Sequence, residues 1–370
     1  MKNLLITGGA GFIGTNFIRY ALSVRPDWHI LNLDTLTYAG NPANFKDLSK
    51  AQAQRHRLVR GDIRDYQLLE QLFVENRFDA VVHFAAESHV DRSILGPEVF
   101  VETNIIGTFR LLEASLRQWE NMDRLERFRF LHISTDEVYG SLGQEGLFTE
   151  TTPYDPSSPY SASKAASDHF VRAYRRTYGL PTLITNCSNN YGPFQFPEKL
   201  IPLMIVNILE EKPLPVYGDG KNVRDWLYVI DHCDALIQVL EQGKPGEVYN
   251  IGGGAERQNI EIVNLLCDLM DVRLGRNGQR SSRRLISFVN DRPGHDHRYA
   301  IDATKIESEL GWAPKYLFED AIERTIDWYL GHMDWIDSVR SGEYRRWIET
   351  NYNSRTQTDM SSREWKKGKR

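Results

Sequence analysis

Two short stretches carry groups that could act together on one carbon chain. "YSASK" sets Tyr160 four residues before Lys164, and "STDEVYG" puts Thr135, Asp136 and Glu137 in a row. On a helix, residues four apart share a face. An ammonium near a phenol favours the phenolate, which makes the tyrosine usable as a base near neutral pH. Thr135 could orient or donate to the hydroxyl being oxidised. Those three groups, with a hydride acceptor, are enough to turn an alcohol into a ketone. The two carboxylates allow more. A ketone acidifies the hydrogen on the neighbouring carbon, so one carboxylate can remove it. The other, held protonated, can donate to a hydroxyl leaving one carbon further on. Adjacent acids divide the work this way when their surroundings push their pKa values apart. The resulting enone can take the hydride back at its far end. Asp136 could equally cap a turn, and Glu137 could brace a ribose or an arginine. "ESHVDRSI" adds Glu87, His89, Asp91 and Arg92 beside the site. His89 is read as a substrate or relay contact, although a lone histidine is more often structural.

The elements around these groups are those of a dinucleotide-binding sheet. "KNLLITGGAGFIG" reads as a buried strand over residues 2 to 7, a tight turn, and a helix starting near Phe12. In the turn Gly8 permits unusual dihedrals and Gly11 lets a phosphate approach the backbone. Gly14 lets the helix pack close to the sheet. Amides at the helix start then face a pyrophosphate. The next strand, "WHILNLD", ends at Asp34, where a carboxylate can accept from both ribose hydroxyls. It would repel a phosphate there, so NAD is favoured over NADP. "HRLVRGDIRD" ends in Asp62 and Ile63, placed to flank adenine, and "FDAVVHFAAES" puts the small residues Ala85 and Ala86 where backbone passes the cofactor. "RFRFLHIST" and "LPTLITNCSNNYG" are further strands, separated by helices such as "NIIGTFRLLEASLRQ" and "SASKAASDHFVRAYRRTY". Strands alternating with helices predict an α/β fold: a Rossmann-like, doubly wound parallel sheet covered on both faces. Ser88, Thr135, Asp136, Glu137 and Asn189 fall at the carboxyl ends of strands, where such folds bind ligands.

A chain of 370 residues is most simply two packed regions. Residues 1–188 are expected to form the NAD-binding domain, with 225–252 returning to it. A smaller, interwoven α/β nucleotide-sugar-binding domain takes 189–224 and 253–330, and 331–370 is a C-terminal extension of no evident role. Apolar residues make up 41% of the chain, enough for a large core, but no run is long enough for a membrane helix. The net charge of −5 argues against nucleic-acid binding, and the basic tail "REWKKGKR" reads as a solvated end. The amino terminus runs directly into a strand, so no signal peptide is expected. Cys187, Cys233 and Cys267 are far apart, without metal-ligand spacing, and fit buried thiols in a reducing, cytoplasmic setting.

These residues carry a likeness. Across about residues 1 to 330 the chain resembles the extended short-chain dehydrogenase/reductase superfamily and, within it, the dTDP-glucose 4,6-dehydratase family. "TGGAGFIGTNF", "LDTLTYAGN" and "YSASKAASDHFVRAY" match at the superfamily level. "STDEVYG", "NCSNNYGPFQFPEKLIP", "RDWLYVIDH" and "DRPGHDHRYAID" are more specific. The resemblance implies that Tyr160 takes the proton of the glucose 4-hydroxyl while hydride passes to NAD, and that Thr135 positions that hydroxyl. It implies Glu137 as the base at C5 and Asp136 as the acid at the departing 6-hydroxyl. Besides the glycine turn, it implies NAD contacts at Phe12, Ile13, Asp34, Thr37, Asp62, Ile63, Phe84, Ala85 and Ala86. Ser88, Thr103, Tyr160, Lys164 and Asn190 complete that set. The nucleotide-linked sugar would meet Ser88, Thr135, Asn189, Lys199, Leu200, Arg224, Asn259 and the stretch Asp291, Arg292, Pro293, Gly294 and His295. Lys199 and Arg224 suit a diphosphate. Pro215, Val216 and Tyr217 could offer backbone groups and a flat ring to a pyrimidine. The likeness further implies a homodimer through the helices near 100–118 and 160–178, no metal, and a place in L-rhamnose or other 6-deoxyhexose supply. A related dehydratase for another base, or a 4-epimerase, would share Tyr160, Lys164 and NAD; the epimerase would not need Asp136 as an acid. "GQEGLF" is short and "GRNGQRSSRRLISF" unusually basic for the pattern, and neither touches a proposed catalytic residue.

Overall fold

Short apolar stretches pair side by side because both of their faces can be covered. The computed structural model describes residues 2–123 and 125–340. Arg124 and residues 341–370, which hold the basic tail and most of the C-terminal extension, lie outside the described residues. The strands in chain order are β1 (Asn3–Thr7), β2 (His29–Asp34), β3 (His56–Arg60), β4 (Ala80–His83), β5 (Arg129–Thr135) and β6 (Thr182–Cys187). They are followed by β7 (Asn189–Tyr191), β8 (Leu214–Tyr217), β9 (Val223–Tyr228), β10 (Val248–Ile251), β11 (Glu256–Gln258) and β12 (Ile286–Val289). One seven-stranded sheet has the order β10-β6-β5-β4-β1-β2-β3, and all its pairs are parallel. This is the doubly wound, Rossmann-like architecture. Chain order reverses between β1 and β4, which opens a crevice at their carboxyl ends.

Alternation along each strand feeds two cores. Leu4 and Ile6 join Phe17, Ile18 and the helix Val229–Gln242 on one face. Leu5 joins Leu69, Leu72, Leu111 and Val171 on the other, beneath the helices Tyr66–Asn76, Thr108–Glu120 and Pro159–Tyr178. The last of these carries Tyr160 and Lys164, and its start is closely specified. Ser158 Oγ accepts from the Ser161 amide at 3.1 Å, while Ser161 Oγ accepts from the Ser158 amide at 3.0 Å. Pro159 occupies the first turn, where its missing N–H costs nothing, and Gly179 ends the helix at φ +81°. The stretch expected to be helical from residue 104 begins earlier and contains a widened π turn over Val101–Gly107. A side chain at Gly107 would collide with Ile63 Cδ1 at 2.5 Å, so this helix runs close against the adenine-side loop.

The second region gathers around its own core of Ile201, Met204, Val216, Leu266 and Ile322. It contains a three-stranded sheet, β11-β9-β7, and the parallel pair β12-β8. Strand β9 lies in the small sheet, and the chain re-enters the large one through the helix Val229–Gln242 and β10. The helix Met333–Val339 packs back on the first region. Its Trp335 Nε1 donates to Asn44 Oδ1 at 2.7 Å, and Asn44 Nδ2 donates to Ala10 O (3.2 Å) and Thr15 Oγ1 (2.9 Å) in the glycine turn. Val339 meets Phe196, Tyr38 and Ala39.

Candidate active site

A cavity of about 400 Å³ opens at the carboxyl ends of the strands and runs from the glycine turn to Tyr160 and Lys164. Gly8 has φ +69°, and a Cβ there would sit 2.5 Å from the Ala85 amide nitrogen, so neither the turn nor the neighbouring strand tolerates a side chain. A Cβ on Gly14 would meet Gly8 O at 2.5 Å; this is the close helix–sheet contact. Gly11 is different. A Cβ there would meet only Gly8 O, at 3.4 Å, and the space it would take borders the cavity. The helix Phe12–Val24 starts with no side-chain cap and no acidic residue in its first turn. Its first amides are therefore left to an anion. At the far side of the turn Asp34 accepts from the Ala10 and Leu36 amides at 2.9 and 2.8 Å. Thr37, Asp62, Ile63, Phe84, Ala85, Ala86, Thr103 and Asn190 also line the cavity. An elongated cleft with a phosphate turn at its middle and a carboxylate past it fits a dinucleotide.

The other end holds the reactive groups. Thr135 is the last residue of β5, and a single tight turn, Asp136–Tyr139, follows it. Thr135 Oγ1 accepts from the Glu137 amide at 3.4 Å and donates to Asp136 Oδ1 at 3.3 Å. Asp136 is only 2% exposed, and its Oδ2 has no hydrogen-bond partner among the described residues. Burial, then the nearby charges of Glu137 and Asp225, hold its carboxyl well above the usual range, which favours the protonated acid. Burial also raises Glu137, but Arg292, Lys199 and Arg224 pull it back towards the charged form. Both acids are raised by burial, Asp136 the more strongly, and nearby cations restrain Glu137. Tyr160 is buried against Val90 and Phe100, and burial with the Glu137 charge keeps its phenol well above its ordinary value; a bond to Thr135 acts the other way. Lys164 Nζ donates to Ile133 O, within β5, at 2.8 Å, and burial draws its pKa down to about 8.

With this geometry in place, three comparisons are informative. A family model described as GDP-mannose 4,6 dehydratase matches residues 5–325. A dTDP-glucose 4,6-dehydratase of Xanthomonas campestris pv. campestris (strain B100) is 57% identical over 349 residues, covering 93% of this chain and 98% of that one. The chain belongs to the dTDP-glucose 4,6-dehydratase family. Among solved structures of this family, DesIV from Streptomyces venezuelae, with NAD and TYD bound, superposes with a TM-score of 0.82 at 48% identity. That match covers 91% of this chain and 99% of DesIV. The Bacillus anthracis dTDP-glucose 4,6-dehydratase in complex with NAD gives 0.81 at 45% identity, over 92% and 100% of the two chains.

The dehydratase family pattern also bears on residues beyond the cavity. Ser88, Asn189 and Lys199 line it, and Lys199 Nζ donates to Ser88 O at 3.1 Å. Leu200 opens the next helix, Leu200–Leu209. Arg224 is buried, donates to Asp296 O at 3.0 Å, and stacks over Tyr299 with Cζ 4.3 Å from the ring. Arg292 lies 3.5 Å from Asp91, whose other oxygen accepts from Tyr217 OH at 2.8 Å. His295 bonds Asp291 at 2.6 Å, and Gly294, at φ +64°, sits where a Cβ would be 2.9 Å from Ser157 O. Pro293 lies in the same loop, and Asn259 begins the helix Asn259–Leu274. Pro215 and Val216 are in β8; Val216 is 2% exposed within the second core, leaving only its backbone for a ligand. His89 is buried 3.8 Å from Glu198, and burial keeps it neutral. Sequence reasoning gave no role to Glu198, held by Arg92 at 3.0 Å, or to Phe196, although both line the cavity. Both lie in the quoted "FPEK" region, yet nothing in their spacing singles them out.

Proposed function

We propose that this chain dehydrates dTDP-glucose to dTDP-4-dehydro-6-deoxyglucose, with NAD as its cofactor. The observation that carries the reading is the pair Asp136 and Glu137, both raised by burial, Asp136 the more strongly, and set beside Tyr160 in one cavity. Bound NAD supplies the acceptor for the C4 hydride and gives the hydride back at C6. Tyr160 takes the proton of the 4-hydroxyl, and Thr135, already linked to both Tyr160 and Asp136, orients that hydroxyl. Glu137 removes the C5 proton made acidic by the neighbouring ketone. Asp136, protonated, gives its proton to the departing 6-hydroxyl from its unpartnered Oδ2. Lys199, Arg224 and Arg292 converge on Glu137 and suit a diphosphate at its edge. Incubation with dTDP-glucose deuterated at C4 tests the whole cycle. Expected is a product lighter by one water, with deuterium at C6. Unchanged mass with inversion at C4 would replace the dehydratase reading with an epimerase.

The domain assignment set out above, with 189–224 and 253–330 holding the sugar nucleotide, supports this reading. The product is a precursor for 6-deoxyhexoses such as L-rhamnose. The buried, unpaired cysteines suit the cytoplasm, which fractionation of cells would check. A homodimer is supported by exposed apolar groups on two adjacent helices. Ile106 is 37% and Phe170 39% exposed, and Phe170 meets Phe109 across the pair at 6.2 Å. Sedimentation should give the mass of two chains, and Phe170→Glu should shift it to one. A monomeric parent protein would remove the dimer from the proposal.

A further inference from the structure

We infer that Asp168 is a positioning residue for the reaction: it is the buried counter-charge that keeps Lys164 an ammonium at the foot of the cavity. This rests on the reading of Tyr160 and Lys164 as the oxidising pair and adds a residue that the reading does not use. Asp168 lies one helical turn beyond Lys164 and is 0% exposed. Its Oδ2 accepts from Ser134 Oγ at 2.8 Å and from Tyr154 OH at 2.9 Å. Its Oδ1 is 3.2 Å from His132 Nε2, and the same nitrogen is 3.4 Å from Lys164 Nζ. An imidazole therefore stands between an ammonium and a carboxylate, in a space closed to water.

Protons limit what this row can be. One Nε2 cannot accept from Lys164 and donate to Asp168 at the same time. His132 is fully buried, and burial with the Lys164 charge keeps it neutral. It is no cation for Asp168, so the carboxylate and Lys164 balance one another. The other titratable groups around the row do not replace either partner. His83, from β4, lies tilted against His132 with ring centroids 5.1 Å apart and is held neutral by burial. Cys187, from β6, is raised to about 12 by burial and stays a thiol. Tyr154 and Tyr139, from the loop side, remain phenols. Arg172 donates to Tyr154 OH at 2.9 Å, and its charge also favours the Asp168 anion, though less than that of Lys164. An unpaired buried ammonium sheds its proton readily, and an anion nearby is what opposes this. Burial raises the Asp168 carboxyl, and the Lys164 charge with the two donated hydroxyl bonds opposes this and favours the anion.

The test is the pH dependence of kcat/KM in Asp168→Asn, which keeps the shape and removes the charge. Without the anion the Lys164 pKa falls, so the ammonium is lost at lower pH and the descending limb moves down. Well above both pKa values each unit of that move is a ten-fold change, so for a move of about one unit the ratio of parent to variant should be about 1 near pH ~6 and approach ~10 near pH ~9. A purely structural role lowers the rate by one factor at every pH, and a constant ratio overturns the inference. Asp168→Glu keeps the charge and should return the limb to the parental position at a reduced rate. If the Asn variant does not fold, the Glu variant decides alone: an unmoved limb supports the inference, and a displaced one overturns it. A parent protein that fails to dehydrate dTDP-glucose would refute the functional reading. One that dehydrates while the ratio stays constant would refute only the role of Asp168.

Discussion

Tyr160→Phe should lose about a thousand-fold or more in kcat for dTDP-glucose dehydration, within the range of removing a positioned general base. The ring keeps its place. It packs with Phe100, centroids 6.3 Å apart, and with Val90, so the variant retains the burial that orders this end of the cavity. What disappears is one hydroxyl, and with it the bond to Thr135 and the only phenol in the cavity lining among the described residues. Oxidation at C4 precedes everything else, because the C5 proton is acidic only after the ketone exists. The variant should therefore fail before elimination: no solvent deuterium at C5 of recovered substrate, and no deuterium moved from C4 to C6. KM should change far less than kcat, since the cations suited to the diphosphate lie elsewhere. A variant that dehydrates within a few-fold of the parent would assign the base to another group, and Glu137 would be the next to test.

Much of this was legible in the sequence because it is local. A glycine turn after an apolar strand, an acidic residue at the next strand end, and residues four apart on a helix each report on their own neighbourhood. The parallel sheet followed from the alternation of apolar strands with helices. Other features depend on contacts between distant parts of the chain. Val223–Tyr228 reads like the start of a return to the large sheet, yet it pairs with Asn189–Tyr191 and Glu256–Gln258. Trp335 reaches Asn44, 291 residues away, and no pattern around either one announces it. Asp91 looked like a charge beside the site, but its two oxygens take Tyr217 and approach Arg292 from another domain. Lys164 and Asp168 show the limit within a single helix. Their spacing puts them on one face, but only the packing of β5 beneath them shows that His132 separates them and that Ile133 O takes the lysine. Spacing indicates which groups can meet; burial decides which charge state each one holds.

That distinction makes Asp136→Asn the most informative change in the site. Asparagine fills the same space and can still accept from Thr135, so folding and C4 oxidation should survive. It cannot supply an acidic proton to a leaving hydroxyl. Loss of water should slow by ~100-fold or more, in line with removal of a general acid. Glu137 remains, and its conjugate base is needed one step earlier than the acid. Removal of the C5 proton should therefore continue, and in deuterium oxide the recovered dTDP-glucose should carry deuterium at C5. Exchange without dehydration is a signature that neither a misfolded variant nor a failed oxidation can produce. It also separates the two carboxylates, because Glu137→Gln should abolish exchange and dehydration together. The assignment follows from their surroundings: burial raises both, but Asp136 adds two anions against one cation, whereas Glu137 adds three cations against one anion. If Asp136→Asn lost water at the parental rate, Asp136 would not be the acid, and its raised pKa would be only a consequence of burial. If exchange ceased along with dehydration, the two carboxylates would have to act in a single step, with Asp136 polarising the bond that breaks while Glu137 takes the proton.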